Sequence, residues 1–170
     1  MPQETIFRFK TVSVTKALAA ASAYDAGDVL SEHASTGTAW TFSAIAMQNG
    51  ASGEITKVHA ISQTTALTPR LAMYFYTTAP TSQLNDHAAN TALLYADEAN
   101  YIGRVDFVAM SENGTGASEA IATESTYGNL PLAFTCAAAA DDIYGILVTM
   151  DVFTQVATKD MVVKVTVKQA

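Results

Sequence analysis

The feature that most constrains the fold is a two-residue alternation of apolar and polar side chains, repeated along the chain and bounded by turn residues. In the first such segment, TIFRFKTVSVTK, Val12 and Val14 alternate with polar residues. Because successive side chains of a β-strand point to opposite faces, this pattern predicts strands with one buried face. The phase slips once near Lys10, which predicts a bulge or a change of sheet there.

Seven further segments have strand character: AWTFSAIAM (39–47), GEITKVHAIS (53–62), RLAMYFYTT (70–78), GRVDFVAM (103–110), LPLAFTC (130–136), DIYGILVTMDVF (142–153) and MVVKVTVK (161–168). The separators, such as QNGASG and the hairpin tip or loop SENGTGASE, are rich in turn residues. Only residues 82–89 and 92–100 could form short helices, and strands do not alternate with helices, which disfavours the parallel α/β classes. The sequence therefore predicts an all-β fold: an antiparallel, jelly-roll-like β-sandwich with short helical connectors.

The composition shows no break along the chain, so we expect a single domain over residues 1–170. Its longest apolar runs are alanine-rich and much shorter than a membrane span, which predicts no membrane partner. The N-terminal sequence MPQETIFRFK has a glutamate before its first basic residue and no uninterrupted apolar core. This is unlike a signal peptide and predicts an intracellular product.

The chain is acidic. Sixteen Asp and Glu residues against nine Lys and Arg residues give a formal charge of −7, and the basic residues are scattered. Because binding to nucleic acid needs a basic stripe that neutralises several phosphates, we expect no nucleic-acid partner. Lys164 and Lys168, with Lys159 nearby, are expected to be solvated charges that protect a strand.

The sequence contains no phosphate-binding loop, nucleophile elbow or metal-binding motif. His33, His59 and His87 lie on separate segments, so their spacing gives a shared metal site no support, and His59 is expected to be a surface or hydrogen-bonded strand residue. Cys136 stands among small and apolar residues, which predicts a buried, inert thiol. We predict no catalytic residue, no metal and no cofactor.

Adjacent carboxylates are the remaining candidates for chemistry. Asp141 and Asp142 would point to opposite faces of a strand, so they are poor partners for a glycosidase pair or a cation site. We expect a polar turn before the apolar run IYGILV instead.

Two sets of aromatic and apolar residues are candidates for an interface. If Phe75 faces the core, Tyr74 and Tyr76 project outward, where amphipathic rings suit an interface; the equal alternative is a strand covered on both faces. The N-terminal residues 1–10, with Ile6, Phe7 and Phe9, could form an extended arm that pairs with a neighbouring strand edge. Trp40 alternates with Phe42 and is expected in the core.

The stretch LLYADEANYIG (93–103) is too short for a free-standing helix and too interrupted for a strand. We interpret it as a packed structural connector between sheets. Four side chains would hold it against the edge of the core: Leu93, Leu94, Tyr101 and Ile102. Asp97 and Glu98 would face water or the first turn of a short helix, and Gly103 begins the next strand.

Four segments, taken in order, resemble the small decoration proteins, also called cement or head-stabilising proteins, of tailed-phage capsids. They are AYDAGDVLSE, the block from GEITKVHAIS to QLNDHAAN, LLYADEANYIGRVDF, and IYGILVTMDVF with the closing strand MVVKVTVK. The residues that carry the resemblance in the last two are Ala96, Asp97, Ala99, Asn100, Ile102, Gly103, Tyr144, Gly145, Leu147, Val148, Val163, Val165 and Val167. The run Tyr74-Phe75-Tyr76 departs from it, being more aromatic than the corresponding strand of that family.

This resemblance implies a structural virion protein with no enzymatic activity. Such a protein self-associates as a homodimer or homotrimer and binds the major capsid protein on the outside of the shell, across joints between capsomers. It would be made in the host bacterial cytoplasm and end on the capsid exterior.

Two other functions stay open at this stage. One is a β-sandwich glycan-binding or receptor-binding module on the virion, which would need Trp40 or the tyrosines exposed beside carboxylates. The other is an enzyme of the cupin or glycosidase kind, for which His59 has no closely spaced ligand partner in sequence.

Overall fold

The computed structural model describes residues 8–19, 22–125, 129–156 and 158–170. These residues form twelve strands and one short 3₁₀ helix, Tyr95–Asn100. The strands are β1 (Arg8–Ala17), β2 (Ala23–Tyr24), β3 (Trp40–Phe42), β4 (Ser52–Ser62), β5 (Leu71–Tyr76), β6 (Tyr101–Asp106), β7 (Ser111–Asn113), β8 (Ala117–Thr123), β9 (Leu132–Thr135), β10 (Ile143–Thr149), β11 (Phe153–Thr154) and β12 (Asp160–Gln169).

Two antiparallel sheets make up the sandwich. Sheet 1 has the order β1-β12-β4-β8-β7, with β9 also paired to β4, and sheet 2 has the order β3-β10-β5-β6. Most of the long strands alternate between the two sheets along the chain. In each sheet, the strand that comes first in the sequence pairs with the strand that comes last: β1 with β12 in sheet 1, and β3 with β10 in sheet 2. This is the strand order of a jelly roll, and it confirms the predicted fold class. A third, small sheet pairs β2 with β11.

The predicted irregularity near Lys10 is wrong. β1 pairs with β12 without a register shift, from Arg8 opposite Gln169 to Ala17 opposite Asp160. The phase appeared to slip because Phe9 lies on the outer face of the strand, where it is 70% exposed. The register shift in sheet 1 falls instead between β12 and β4, at Thr166/Val167.

Several other strands differ from their predicted extent: β6 ends at Asp106 instead of residue 110, and the segment predicted at 142–153 is divided between β10 and β11. β3 ends at Phe42 instead of continuing to residue 47, because Ala44 adopts a positive φ of 53° and its N–H donates to Asp142 Oδ1. SENGTGASE was expected to be a loop or a hairpin tip, and the hairpin is confirmed, because β7 pairs with β8 across it. The sequence missed β8 itself. The inward-facing residues of β8 are Ser118, Ala120 and Ala122, which carry little β-propensity signal.

The main core lies between the two sheets. Trp40 is 1% exposed, as predicted, and it packs there with Phe42, Met73 and Phe75 from sheet 2 and the inward valines of β12. A second apolar cluster covers the outer face of sheet 2, where Val29 and Leu84 pack on Ile146 and Val148. Sheet 2 is therefore buried on both faces.

Candidate interaction surfaces

Tyr74 and Tyr76 do not form an exposed interface, contrary to the first of the two interpretations. Tyr74 is 9% exposed and Tyr76 is fully buried. Both rings belong to the second apolar cluster, because the segments that contain Val29 and Leu84 lie over this face of β5. Burial raises the pKa of the Tyr76 phenol to about 12. The alternative, a strand covered on both faces, is the one that the protein adopts.

Phe9 is the candidate interface residue that the structure does expose; Ile6 and Phe7 lie outside the described residues. Phe9 and Met47, which is 51% exposed, both line a shallow groove near the start of β1. Arg8, Lys10 and Gln169 complete the walls of this groove. The sequence missed Met47 because it was assigned to the end of a strand.

β1 is an edge strand that carries two inward-pointing lysines. Among the described strands it pairs with β12 alone. Lys10 donates to the carbonyl of Ala44, and the buried Lys16 ammonium forms an ion pair with Glu32 at 2.5 Å. Burial lowers the pKa of Lys16, against the opposing effect of Glu32. Inward-pointing charges are a common protection of sheet edges against strand addition, so this edge is a poor acceptor for another strand.

Glu32 joins the end of β1 to the loop before β3. Its carboxylate accepts from Lys16, from Thr38 N at 3.0 Å and from Ser31 Oγ at 2.7 Å. Burial opposes ionisation of this carboxyl, but the hydrogen bonds from Lys16, Thr38 and Ser31 outweigh it and lower the pKa of Glu32 to about 2. The loop is therefore tied to the edge of sheet 1.

Asp97 was expected to face water or the first turn of a short helix. It lies in the first turn of the 3₁₀ helix, but its side chain is buried and anchors the connector. It is 4% exposed, and its carboxylate accepts four hydrogen bonds from two consecutive residues. Thr81 donates from N at 2.8 Å and Oγ1 at 2.7 Å; Ser82 donates from N at 2.9 Å and Oγ at 2.7 Å. Burial opposes the charge, but these hydrogen bonds outweigh it and lower the pKa of Asp97.

The remaining connector residues divide into two groups. Tyr101 packs in the second cluster, 5.4 Å from the ring of Tyr76, and Ile102 packs on the main core, as predicted. Leu93 and Leu94 were expected to do the same, and this is wrong: they are 42% and 37% exposed. With Asp97 holding the segment, no apolar contact is needed at its start.

Two further residues of the connector region are Tyr95, which is exposed, and Gly103, which is closely packed. Tyr95, next to the two leucines, is 92% exposed, which the sequence did not indicate. Gly103 lies directly under Leu132, where an added Cβ would come within 3.0 Å of both leucine methyls. A side chain at this position would thus displace Leu132.

Ser22, His87 and Asp86 are arranged in the order of a serine-hydrolase triad. Ser22 Oγ lies 2.9 Å from His87 Nε2, and His87 Nδ1 lies 3.4 Å from Asp86 Oδ2. However, Nε2 is also 3.1 Å from the carbonyl oxygen of Ala23, which can only accept. A hydrogen bond to that carbonyl requires Nε2 to be the donor, and in that tautomer Nε2 cannot take a proton from Ser22 as a general base. These hydrogen bonds instead connect the β2 region to the loop that contains His87.

Asp86 holds the same region together from inside. It is 2% exposed and accepts from Tyr24 OH at 3.0 and 3.1 Å and from Ser31 N at 2.8 Å. Burial raises the pKa of Asp86 in spite of these donors. The ring of Tyr24 stacks on Phe153 at 4.9 Å, so the carboxylate, β2 and β11 form one unit.

The other residues considered for chemistry have structural surroundings. His59 bonds to Glu119 at 2.6 Å, as expected for a hydrogen-bonded strand residue. Cys136 is 4% exposed, which confirms that the thiol is buried, and this burial raises its pKa to about 11. Within residues 8–19, 22–125, 129–156 and 158–170, no group of three or more His, Cys, Asp or Glu side chains is placed to hold a metal ion.

No protein-family model matches the chain, and no curated protein matches it. In the part of the chain that the structure describes, no helix has the length and apolar character to cross a membrane.

Proposed function

We propose that this chain is a structural virion protein that binds the outer surface of a phage capsid and stabilises the head by bridging capsomers. The order of sequence segments that resemble capsid decoration proteins supports it, and so does the jelly-roll sandwich. The observation that carries the proposal is the pair Phe9 and Met47. Two large apolar side chains, 70% and 51% exposed around one groove, suit a protein contact better than they suit water.

A protein that bridges capsomers must resist deformation, and the connections between the loops and the sheets support that role. Glu32 ties the loop before β3 to β1, and Asp97 ties the connector to Thr81 and Ser82. His87 and Asp86 hold β2 to the loop beside it. These contacts fix long connections that would otherwise be the most mobile parts of the molecule.

The proposed N-terminal arm is shorter than residues 1–10. Its described part, Arg8 to Lys10, belongs to β1. The arm therefore consists at most of residues 1–7, and its acceptor would be a strand edge of the shell, because the inward lysines protect β1. Deleting residues 1–7 tests this arm: shell binding and oligomeric state that match the full chain would reject it.

The function itself is tested by light scattering followed by co-sedimentation with undecorated capsid shells. We expect a dimer or trimer that pellets with the shells and raises their melting temperature, since many copies bound at once give avidity. A monomer that stays in the supernatant and leaves the shell melting temperature unchanged would reject the proposal.

The glycan-binding alternative has less support than the sequence suggested. Trp40 and Tyr76, two of the rings that it would need, are buried, and Tyr74 is nearly so. Tyr95 is an exposed ring, and the glycan-binding alternative would now rest on it and on Glu98, an exposed carboxylate on the same 3₁₀ helix; Asp97, two residues away, is buried and hydrogen-bonded. The proposal includes no enzymatic activity.

A further inference from the structure

None of the segments that the structure describes covers the outer face of sheet 1. Along β4, β8 and β12, side chains alternate between buried residues that face sheet 2 and less buried ones that face away. In sheet 2, by contrast, all six residues of β5 are buried because other segments cover its outer face. The sandwich thus has one covered and one uncovered outer face.

The centre of this uncovered face is apolar. Ile61 on β4 lies directly opposite Val162 on β12, and Ile121 on β8 lies opposite His59, diagonally next to Ile61. All three apolar residues are β-branched and partly exposed. Neighbours of this kind on one sheet face are within reach of each other, so they form a continuous apolar strip.

Two lysines flank the strip without an ion pair. Lys164 lies opposite His59, and Lys57 is its diagonal neighbour on β4. His59 is paired with Glu119 at 2.6 Å, whereas neither lysine forms an ion pair with a described residue. Like charges at neighbouring positions on a sheet face repel each other. In a chain with a net charge of −7, this pair is an unbalanced positive site.

The positive charges of Lys57 and Lys164 indicate what kind of surface would bind this face of sheet 1. A second copy packed face to face about a two-fold axis through the lysine pair would place like charges against Lys57 and Lys164, because residues on such an axis meet their own copies. An acidic surface would instead supply carboxylates to both lysines while it covers the apolar strip.

We propose that the outer face of sheet 1, centred on Ile61, Ile121 and Val162, docks on an acidic protein surface whose carboxylates pair with Lys57 and Lys164. The inference rests on the proposed function, because it takes this acidic surface to be the exterior of the capsid shell. It assigns sheet 1 to the shell side and the covered sheet 2 to the solvent side.

The test compares charge reversals on and off this face. Two variants reverse charges on the face: Lys164→Glu and the double variant Lys57→Glu/Lys164→Glu. The control is Lys159→Glu, which makes the same charge change as Lys164→Glu but lies in the loop before β12, away from the face. Circular dichroism checks that each variant is folded. Binding is measured to undecorated shells by co-sedimentation, and to immobilised poly-L-glutamate and a short DNA duplex by biosensor.

We expect shell binding to weaken about tenfold in Lys164→Glu and about a hundredfold in the double variant, with Lys159→Glu within about twofold of wild type. If wild type pellets with shells and the double variant does so equally well, the docking face is wrong and the proposed function stands. If wild type ignores shells but binds poly-L-glutamate through the two lysines, the acidic-surface inference stands and the shell function is wrong. Binding to neither, or to DNA alone, overturns both.

Discussion

Asp97 shows how a single carboxylate can replace an apolar contact. Thr81 and Ser82 each supply a backbone N–H and a hydroxyl, so both oxygens of the buried carboxylate are fully used. Hydrogen bonds to a charged acceptor are stronger than neutral ones, and a buried donor that loses its acceptor is costly. The connector can therefore leave Leu93 and Leu94 in solvent and still be fixed.

We expect Asp97→Asn to lower the free energy of unfolding by about 3 kcal/mol at neutral pH, because an amide group cannot accept from both donor pairs. Urea denaturation followed by tryptophan fluorescence measures this loss. Glu98→Gln, on the exposed neighbour, is the control and should change stability by less than about 0.5 kcal/mol. Equal stability of the Asp97 variant and wild type would contradict the anchoring role.

The difference in unfolding free energy between wild type and Asp97→Asn should depend on pH. The pKa of Asp97 is lowered in the folded state, so its contribution is present above the ordinary value of 3.8 and is lost as the pH falls through the folded value. The stability difference between wild type and Asp97→Asn should therefore shrink in acid. A difference that grows as the pH falls below 3.8 would have the wrong sign.

At the scale of elements, the loops depend on close backbone contacts that no strand pattern reveals. The loop before β3 meets the segment of residues 84–85 at Gly37. Gly37 N donates to Asn85 Oδ1 at 3.0 Å, and an added Cβ would lie 2.1 Å from the carbonyl oxygen of Leu84. Because the obstacle is backbone, it cannot rotate away as a flexible side chain could.

Gly37→Ala should therefore destabilise the protein by about 2 kcal/mol or more, through separation of the two segments. Thermal unfolding measured by calorimetry provides the comparison. Gly116→Ala in the β7–β8 turn is the matched control, because nothing lies within 4 Å of its added Cβ; its unfolding free energy should stay within about 0.5 kcal/mol of wild type. A Gly37 variant as stable as this control would show that the contact can relax.

The strands themselves were largely predictable, and their ends were not. β4 and β12 were expected at residues 53–62 and 161–168 and run over Ser52–Ser62 and Asp160–Gln169, because alternation of large apolar residues marks a half-buried strand. β3 stopped early at a local turn that depends on Asp142, a residue far away in sequence. β8 was missed because its inward positions hold alanine and serine.

For the molecule as a whole, the two exposed apolar residues of the groove, Phe9 and Met47, are the most direct indication of a partner. Phe9 belongs to an edge strand, yet that edge is protected by the inward Lys10 and Lys16. A contact through side chains in the groove, rather than through added strand pairing, fits both facts.

We expect Phe9→Ser to weaken self-association or shell binding roughly tenfold, because an exposed aromatic anchor is lost. Its unfolding free energy should stay within about 0.5 kcal/mol of wild type, since the ring is 70% exposed. Light scattering and co-sedimentation measure the effect. Val152→Ser is the control, because this side chain beside β11 is also exposed, at 64%. It should change neither the self-association nor the shell binding of the protein. Equal behaviour of the two variants would exclude Phe9 from the interface.

The fold class and most strands follow from the sequence alone, because alternation and turn residues are local signals that specify strands and their connections. The sequence also placed Trp40 and Cys136 in the interior. Only the tertiary structure decided which surfaces are free, because exposure depends on segments distant in sequence. Tyr74 and Tyr76 are covered by residues near Val29 and Leu84, and Asp97 is buried because Thr81 and Ser82 meet it. The uncovered face of sheet 1 follows from the same cause: the long loops lie over sheet 2.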